Sequence, residues 1–288
     1  MIDIKSENRG ETVSDYQQSI DDHYGQSNLC NKILEALKSA GKDIDALTKE
    51  DLHSFDQFHS GGLSGTKELA SLAGISEGMK VLDVGSGIGG PARILGGDYG
   101  CDVTGIDLTQ EFCLAAEMLT ARVGLDEKVR FHCGSALDMP FEDGSFDLVW
   151  MQNASMNIPE KEKLYSEVRR VLRPGGKLAT QDVLSGPVTP LYYPVPWAGD
   201  ESLSFMISAP DFQELLGSLG FKELAWNDVT ALGVKIRAEQ QAAASANNPD
   251  PLGQGFLMNK DQPTKAANMQ LNHAEGRAVV VTSVFRLD

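Results

Sequence analysis

The stretch Val81-Leu82-Asp83-Val84-Gly85-Ser86-Gly87-Ile88-Gly89-Gly90-Pro91 decides how this chain is read. A short apolar strand runs into a glycine-rich turn, and Pro91 suits the first position of a helix. Gly85, Gly87 and Gly90 satisfy G-x-G-x-x-G, and Asp107 follows at about the spacing of a ribose-binding acid. A dinucleotide site fits this pattern too. Asp83 tilts the balance, because a carboxylate two residues before the first glycine is poor company for a pyrophosphate and good company for a cation.

Outward from this turn, strands alternate with helices. The expected strands are Lys80–Val84, Asp102–Ile106, Val129–Cys133, Phe146–Gln152, Lys177–Val183, Phe221–Asn227 and Ala278–Arg286. The helices between them are Ser64–Ala73, Pro91–Gly97, Thr109–Val123 with Thr109 as N-cap, Glu160–Val171, Ser208–Leu219, Thr230–Ala246 and Thr264–Ala274. Such alternation implies a parallel sheet of βαβ units with helices on both faces. Pro187 to Ala198 breaks the rhythm: four prolines with Tyr192, Tyr193 and Trp197 make it an extended loop at the carboxyl edge of the sheet. Upstream, Ser14 to Tyr24, Ile33–Gly41 and Ala46–Phe58 read as three helices, so residues 1–60 are expected to form a helical lid over the strand ends and residues 61–288 the main domain.

The second deciding stretch is Leu172-Arg173-Pro174-Gly175-Gly176-Lys177-Leu178, a turn between helix and strand. Together Val81–Gly90, Val103–Asp107 and Leu172–Leu178 resemble the class I S-adenosylmethionine (SAM) methyltransferases. Gly85–Arg93, Trp150–Ile158 and Tyr193–Ala198 resemble more narrowly the sarcosine/dimethylglycine N-methyltransferase branch and its small-molecule relatives. The resemblance implies a Rossmann-like, doubly wound α/β sheet of seven strands with the last one antiparallel. It also implies SAM as cofactor and S-adenosylhomocysteine as product.

Carried onto these positions, the resemblance assigns cofactor contacts to Asp83, Gly85, Ser86 and Gly87 in the turn and to Asp107, whose carboxylate would take both ribose hydroxyls. Leu108 would lie on the adenine face and Ser135 and Ala136 at its edge, where the family often has an acid in place of Ser135. Gln152 would bond the amino-acid end, with Tyr24 closing over it. Asn153 and Asn157 are candidates for orienting the acceptor, and His59 for a base. Tyr16, Tyr193 and Trp197 are candidates for holding the acceptor, Trp197 above all, without a role in stability. Each has a competing structural reading. Asp107 could serve a helix N-terminus, Asn157 could cap a turn, and the rings and His59 could be core packing.

Composition bounds the rest. A chain of 288 residues, 41% hydrophobic, suits one large α/β domain with additions. A net charge of -16 argues against nucleic acid, which needs clustered Lys and Arg. No apolar run approaches the roughly 20 residues of a membrane span, and no signal sequence is evident, so a cytoplasmic location is expected. The four cysteines form no C-x-x-C pair, so reduced thiols and no metal site are expected. The expected reaction is methyl transfer to a small polar acceptor, most of all an amine such as sarcosine or dimethylglycine. Sulfur, oxygen and ring-carbon acceptors, an NAD-dependent oxidoreductase and a non-catalytic SAM-binding protein are the alternatives. Oligomeric state is left open.

Overall fold

A computed structural model describes residues 18–20, 23–25, 27–57, 59–231 and 261–288. All seven expected strands form: β1 (Lys80–Val84), β2 (Asp102–Asp107), β3 (Val129–Cys133), β4 (Phe146–Gln152), β5 (Leu172–Ser185), β6 (Phe221–Asp228) and β7 (Ala278–Leu287). They make one sheet in the order β3-β2-β1-β4-β5-β7-β6. Strand β1 pairs parallel with β2 and β4, while β7 runs antiparallel between β5 and β6. The Rossmann-like fold expected from the sequence is therefore borne out, including its antiparallel last strand.

The helices among the described residues are α1 (Leu29–Ser39), α2 (His53–Asp56), α3 (Gly62–Ala73), α4 (Gly90–Tyr99), α5 (Gln110–Arg122), α6 (Lys161–Val171), α7 (Ala209–Ser218) and α8 (Gln262–Ala274). Side chains alternate across each strand, so the sheet separates two cores. Leu82, Val84, Val149 and Met151 pack with Leu164 and Val168 of α6 and Phe212 of α7. Val81, Val103, Leu148 and Trp150 face the other way, onto Leu69 of α3 and Leu95 of α4. Each buried Leu or Val side chain contributes about 1.5–3 kcal/mol.

Four local expectations change. Helix α1 begins at Leu29 rather than Ile33, because Leu29, Ile33 and Leu37 form one buried stripe against Phe112, Ala115 and Leu119 of α5. The single helix expected over Ala46–Phe58 is broken into a 3₁₀ turn at Lys49–Asp51 and the four-residue α2. Asp51 accepts bonds from the Thr48 backbone and hydroxyl at 2.9 and 2.8 Å, a capping box that starts the chain anew at Thr48. Thr109 holds the N-cap position of α5, yet its side chain makes no cap bond; its N–H donates to Asp107 Oδ1 at 2.9 Å instead. The Leu172–Leu178 turn is absorbed into β5, where the register with β4 shifts between Phe146↔Leu172 and Leu148↔Lys177. Residues 18–20, 23 and 24 are helical, and the rest of the expected Ser14–Tyr24 helix, Tyr16 included, lies outside the described residues. So does the expected Thr230–Ala246 helix beyond residue 231.

Candidate functional site

A cavity of about 210 Å³ opens across the carboxyl ends of the parallel strands. This is where open α/β sheets bind ligands, at the point where strand order reverses on either side of β1. Thirteen of the expected site residues border it. They are Tyr24, His59, Asp83, Gly85, Ser86, Gly87, Asp107, Leu108, Ser135, Ala136, Gln152, Asn153 and Asn157, and Trp197 makes a fourteenth. Tyr193 does not: it packs half-buried on the apolar cluster beneath Trp197. Tyr16 lies outside the described residues.

The glycine turn is shaped by backbone contacts. Gly85 sits at φ +73°, and a Cβ there would meet the Ala154 Cβ at 2.5 Å. A side chain at this position collides with Ala154, two residues past β4. Gly87, at φ +53°, has open space where its Cβ would stand. Its N–H donates to Asp107 Oδ2 at 2.8 Å. Asp107 thus ties the turn after β1 to the N-terminus of α5, with its carboxylate on the cavity wall.

Two polar atoms here have no hydrogen-bond partner within the protein: Asp83 Oδ2 near the end of β1 and Ser86 Oγ in the turn, both buried. A buried polar group left this way is costly, and these two stand on the cavity wall. Burial, and then the charge of Asp107, push the Asp83 carboxyl up to about 8.

The β4 end is a network. Trp150 Nε1 donates to Gln152 Oε1 at 3.0 Å, and Gln152 Nε2 donates to Gln181 Oε1 at 3.2 Å. His59 lies within hydrogen-bonding distance of Gln57, Ser60, Thr66 and Gln152. Burial pulls its imidazole down to about 4, so it is neutral near pH 7. Asn153 occupies the left-handed region at φ 51°, and its amide faces the Ser60 backbone and hydroxyl. Asn157 accepts from the Tyr24 hydroxyl at 2.9 Å and donates to the carbonyls of Trp197 and Leu203 at 2.8 and 3.0 Å. One side chain therefore joins the N-terminal segment to the aromatic loop.

Trp197 both borders the cavity and anchors its loop. It is 2% exposed, packs with Met156, Val183 and Met269, and donates from Nε1 to Ser204 Oγ at 3.0 Å. The expectation that it could be removed without a loss of stability does not hold, since emptying a site of this size costs about 3–5 kcal/mol. Tyr192 stands outside, with the Arg277 guanidinium 4.3 Å above its ring.

Sequence reasoning passed over Ile20, Phe112, Met156, Met269 and His273, which also border the cavity. Phe112 had a signal, being one turn into the helix after Asp107. Met269 and His273 had none, because only the docking of α8 on β7 brings them to this edge.

Residues 82–180 match the family described as a methyltransferase domain. The chain is 32% identical over 150 residues to the sarcosine/dimethylglycine N-methyltransferase of Halorhodospira halochloris, covering 52% of this chain and 54% of that one. It is 45% identical over 108 residues to a sterol 24-C-methyltransferase of Gibberella zeae, covering 38% and 28%. The chain thus aligns with about half or less of these relatives' length. In fold it resembles the Haemonchus contortus phosphoethanolamine N-methyltransferase 2 solved with S-adenosyl-L-methionine, at TM-score 0.69 and 19% identity, over 95% of this chain and 60% of that one. It also resembles the geranyl diphosphate C-methyltransferase of Streptomyces coelicolor, at TM-score 0.68 and 15% identity, over 96% and 100%.

Proposed function

We propose, for a chain that carries a methyltransferase domain over residues 82–180, that it binds SAM across the ends of β1, β2 and β4 and transfers its methyl group to a small organic acceptor. The observation that carries this reading is the pairing of Asp107 with the glycine turn at one cavity wall, beside the unpartnered Asp83 and Ser86. Two acids suit a ligand with hydroxyls, an ammonium and a sulfonium. They are poor company for a dinucleotide's pyrophosphate, and among the described residues no Lys or Arg borders the cavity to offset them.

Asp107 would accept from the ribose hydroxyls through charge-assisted hydrogen bonds. Leu108, Ser135 and Ala136 would hold the adenine, and Gly85, Ser86, Gly87 and Asp83 the amino-acid end beside Tyr24. Gln152 already bonds Gln181 with its amide, so its part is to hold His59 and the β4 end in place. When bound, SAM supplies a methyl carbon activated by its sulfonium for in-line displacement.

The protein's task is then to orient the acceptor and keep water out, effects worth up to about 7–11 kcal/mol. Asn153 and Asn157 border the acceptor side, and Trp197, Met156 and Val183 make it apolar. An amine, the acceptor class implied by the likeness to the sarcosine enzyme, attacks through its neutral lone pair. A His59 held near 4 is too weak a base to take a proton from the resulting ammonium, so we assign it a positioning role.

Calorimetry tests the reading. Asp107→Ala should weaken SAM binding by about 1.5–3 kcal/mol, the scale of hydrogen bonds to a charged group. The melting temperature of the variant is measured alongside, because Asp107 also holds two backbone N–H groups. A folded variant with unchanged SAM affinity would sink the assignment.

A further inference from the structure

The cavity has two sides of different chemistry. The β1–β2 side carries Asp83, Ser86 and Asp107, while the β4–β5 side is walled by Ile20, Met156, Val183, Pro196, Trp197 and Met269. On the second side the polar side chains are engaged: Asn153 with Ser60, His59 with Gln57, Thr66 and Gln152, and His273 with the Ala278 carbonyl. Asn157 spends both amide hydrogens on the Trp197 and Leu203 carbonyls and accepts from Tyr24.

Among the described residues, the buried cations nearby are also committed or stand off the wall. Arg93 donates to Asp56 at 2.9 Å and to Thr120 at 3.1 Å. Lys161 donates to the carbonyls of Ser155 and Ile158, capping the turn that carries Asn157. Lys265 is buried one helical turn before Met269 on α8 and does not border the cavity. Against the described residues of this side a carboxylate or phosphate would lose its water and meet no Lys or Arg, with the Asp107 carboxylate across the cavity. Burial of an unpaired charge is strongly unfavourable.

We propose that the methyl acceptor has an apolar body and carries no anionic group: a lone-pair nucleophile, an amine first, attached to hydrocarbon, as opposed to an amino acid or a phosphorylated amine. The proposal rests on the methyl-transfer reading and narrows it away from sarcosine itself. Among the described residues, the six apolar wall residues set this preference by excluding water from the acceptor's body and presenting no charge of their own to an acid.

Matched pairs of acceptors test it on the full chain. Calorimetry first establishes binding of S-adenosylhomocysteine; its failure would overturn the methyl-transfer reading and this proposal with it. The saturated protein is then titrated with N-methylbenzylamine against 4-(methylaminomethyl)benzoate, and with sarcosine ethyl ester against sarcosine. Single-turnover transfer from labelled SAM is run on the same four compounds. The uncharged-body member of each pair should bind about tenfold tighter or more, the scale of about 1.4 kcal/mol, and should be methylated faster. No preference, or a preference for the acids, overturns the proposal. If Lys265→Met then removed the binding of an acid, Lys265 would be identified as the cation of an anionic acceptor site.

Discussion

At the scale of single residues, Asp83 should govern how the site responds to pH. Its carboxyl is pushed up to about 8 by burial first and by the charge of Asp107 second. In the unfolded chain it titrates near 3.8. Below that value both states are protonated, and the contribution of Asp83 to folding is fully present. As pH rises toward 8 the unfolded chain releases the proton and the folded one keeps it, so that contribution is lost. Binding a cationic ligand beside Asp83 favours the ionised form, so SAM binding should release a proton and tighten with rising pH, levelling off above about 8. Calorimetry in buffers of different ionisation enthalpy measures the proton directly, and Asp83→Asn should abolish it. Equal proton release in the variant would move the titration elsewhere. Asp83 was legible in the sequence as an acid in the wrong place for a phosphate. Its neutral state was not, because that depends on burial and on the approach of Asp107 from another strand.

At the scale of elements, the link between α4 and the N-terminal segment is a buried ion pair. Arg93 is 1% exposed and donates to Asp56 at the end of α2, while Thr120 of α5 takes a second bond. The helices approach so closely that a Cβ on Gly90 would stand 2.0 Å from the Asp56 carbonyl oxygen. Removing one member of such a pair leaves an uncompensated charge, so Asp56→Ala should cost about 3–5 kcal/mol in urea unfolding. The double variant Asp56→Ala/Arg93→Met should recover much of it, because no charge then remains buried. A single variant as stable as the parent would show that the charge is solvated in the native state. Helix patterns predicted α4 to within two residues at its C-terminus, yet they missed this pair. The acid sits in a stretch expected to be one continuous helix, which the Thr48 capping box broke.

At the scale of the whole molecule, the described residues upstream of the sheet border the cavity and contribute no strand. Ile20 and Tyr24 border it, and α1 is held to α5 by Leu29, Ile33 and Leu37. We therefore expect removal of residues 1–24 to leave the far-ultraviolet dichroism of the sheet and helices nearly intact and to depress turnover by an order of magnitude or more, through loss of water exclusion. Full turnover by the truncated protein would refute a lid role. The chain's own sequence determined the order and kind of elements, since periodicity and glycine placement are local, and it determined the β1–β2 side of the cavity, because the turn after β1 and the acid ending β2 are short contiguous motifs. Most of the β4–β5 side was decided by tertiary structure. Apart from Trp197, which the proline-rich aromatic loop made legible, its wall is drawn from Ile20, Met156, Val183 and Met269, residues up to 249 positions apart (20 to 269) that carry no signal as apolar side chains in an apolar pattern. Only closure of the sheet, with β7 inserted beside β5 and α8 docked on it, brings them to one edge.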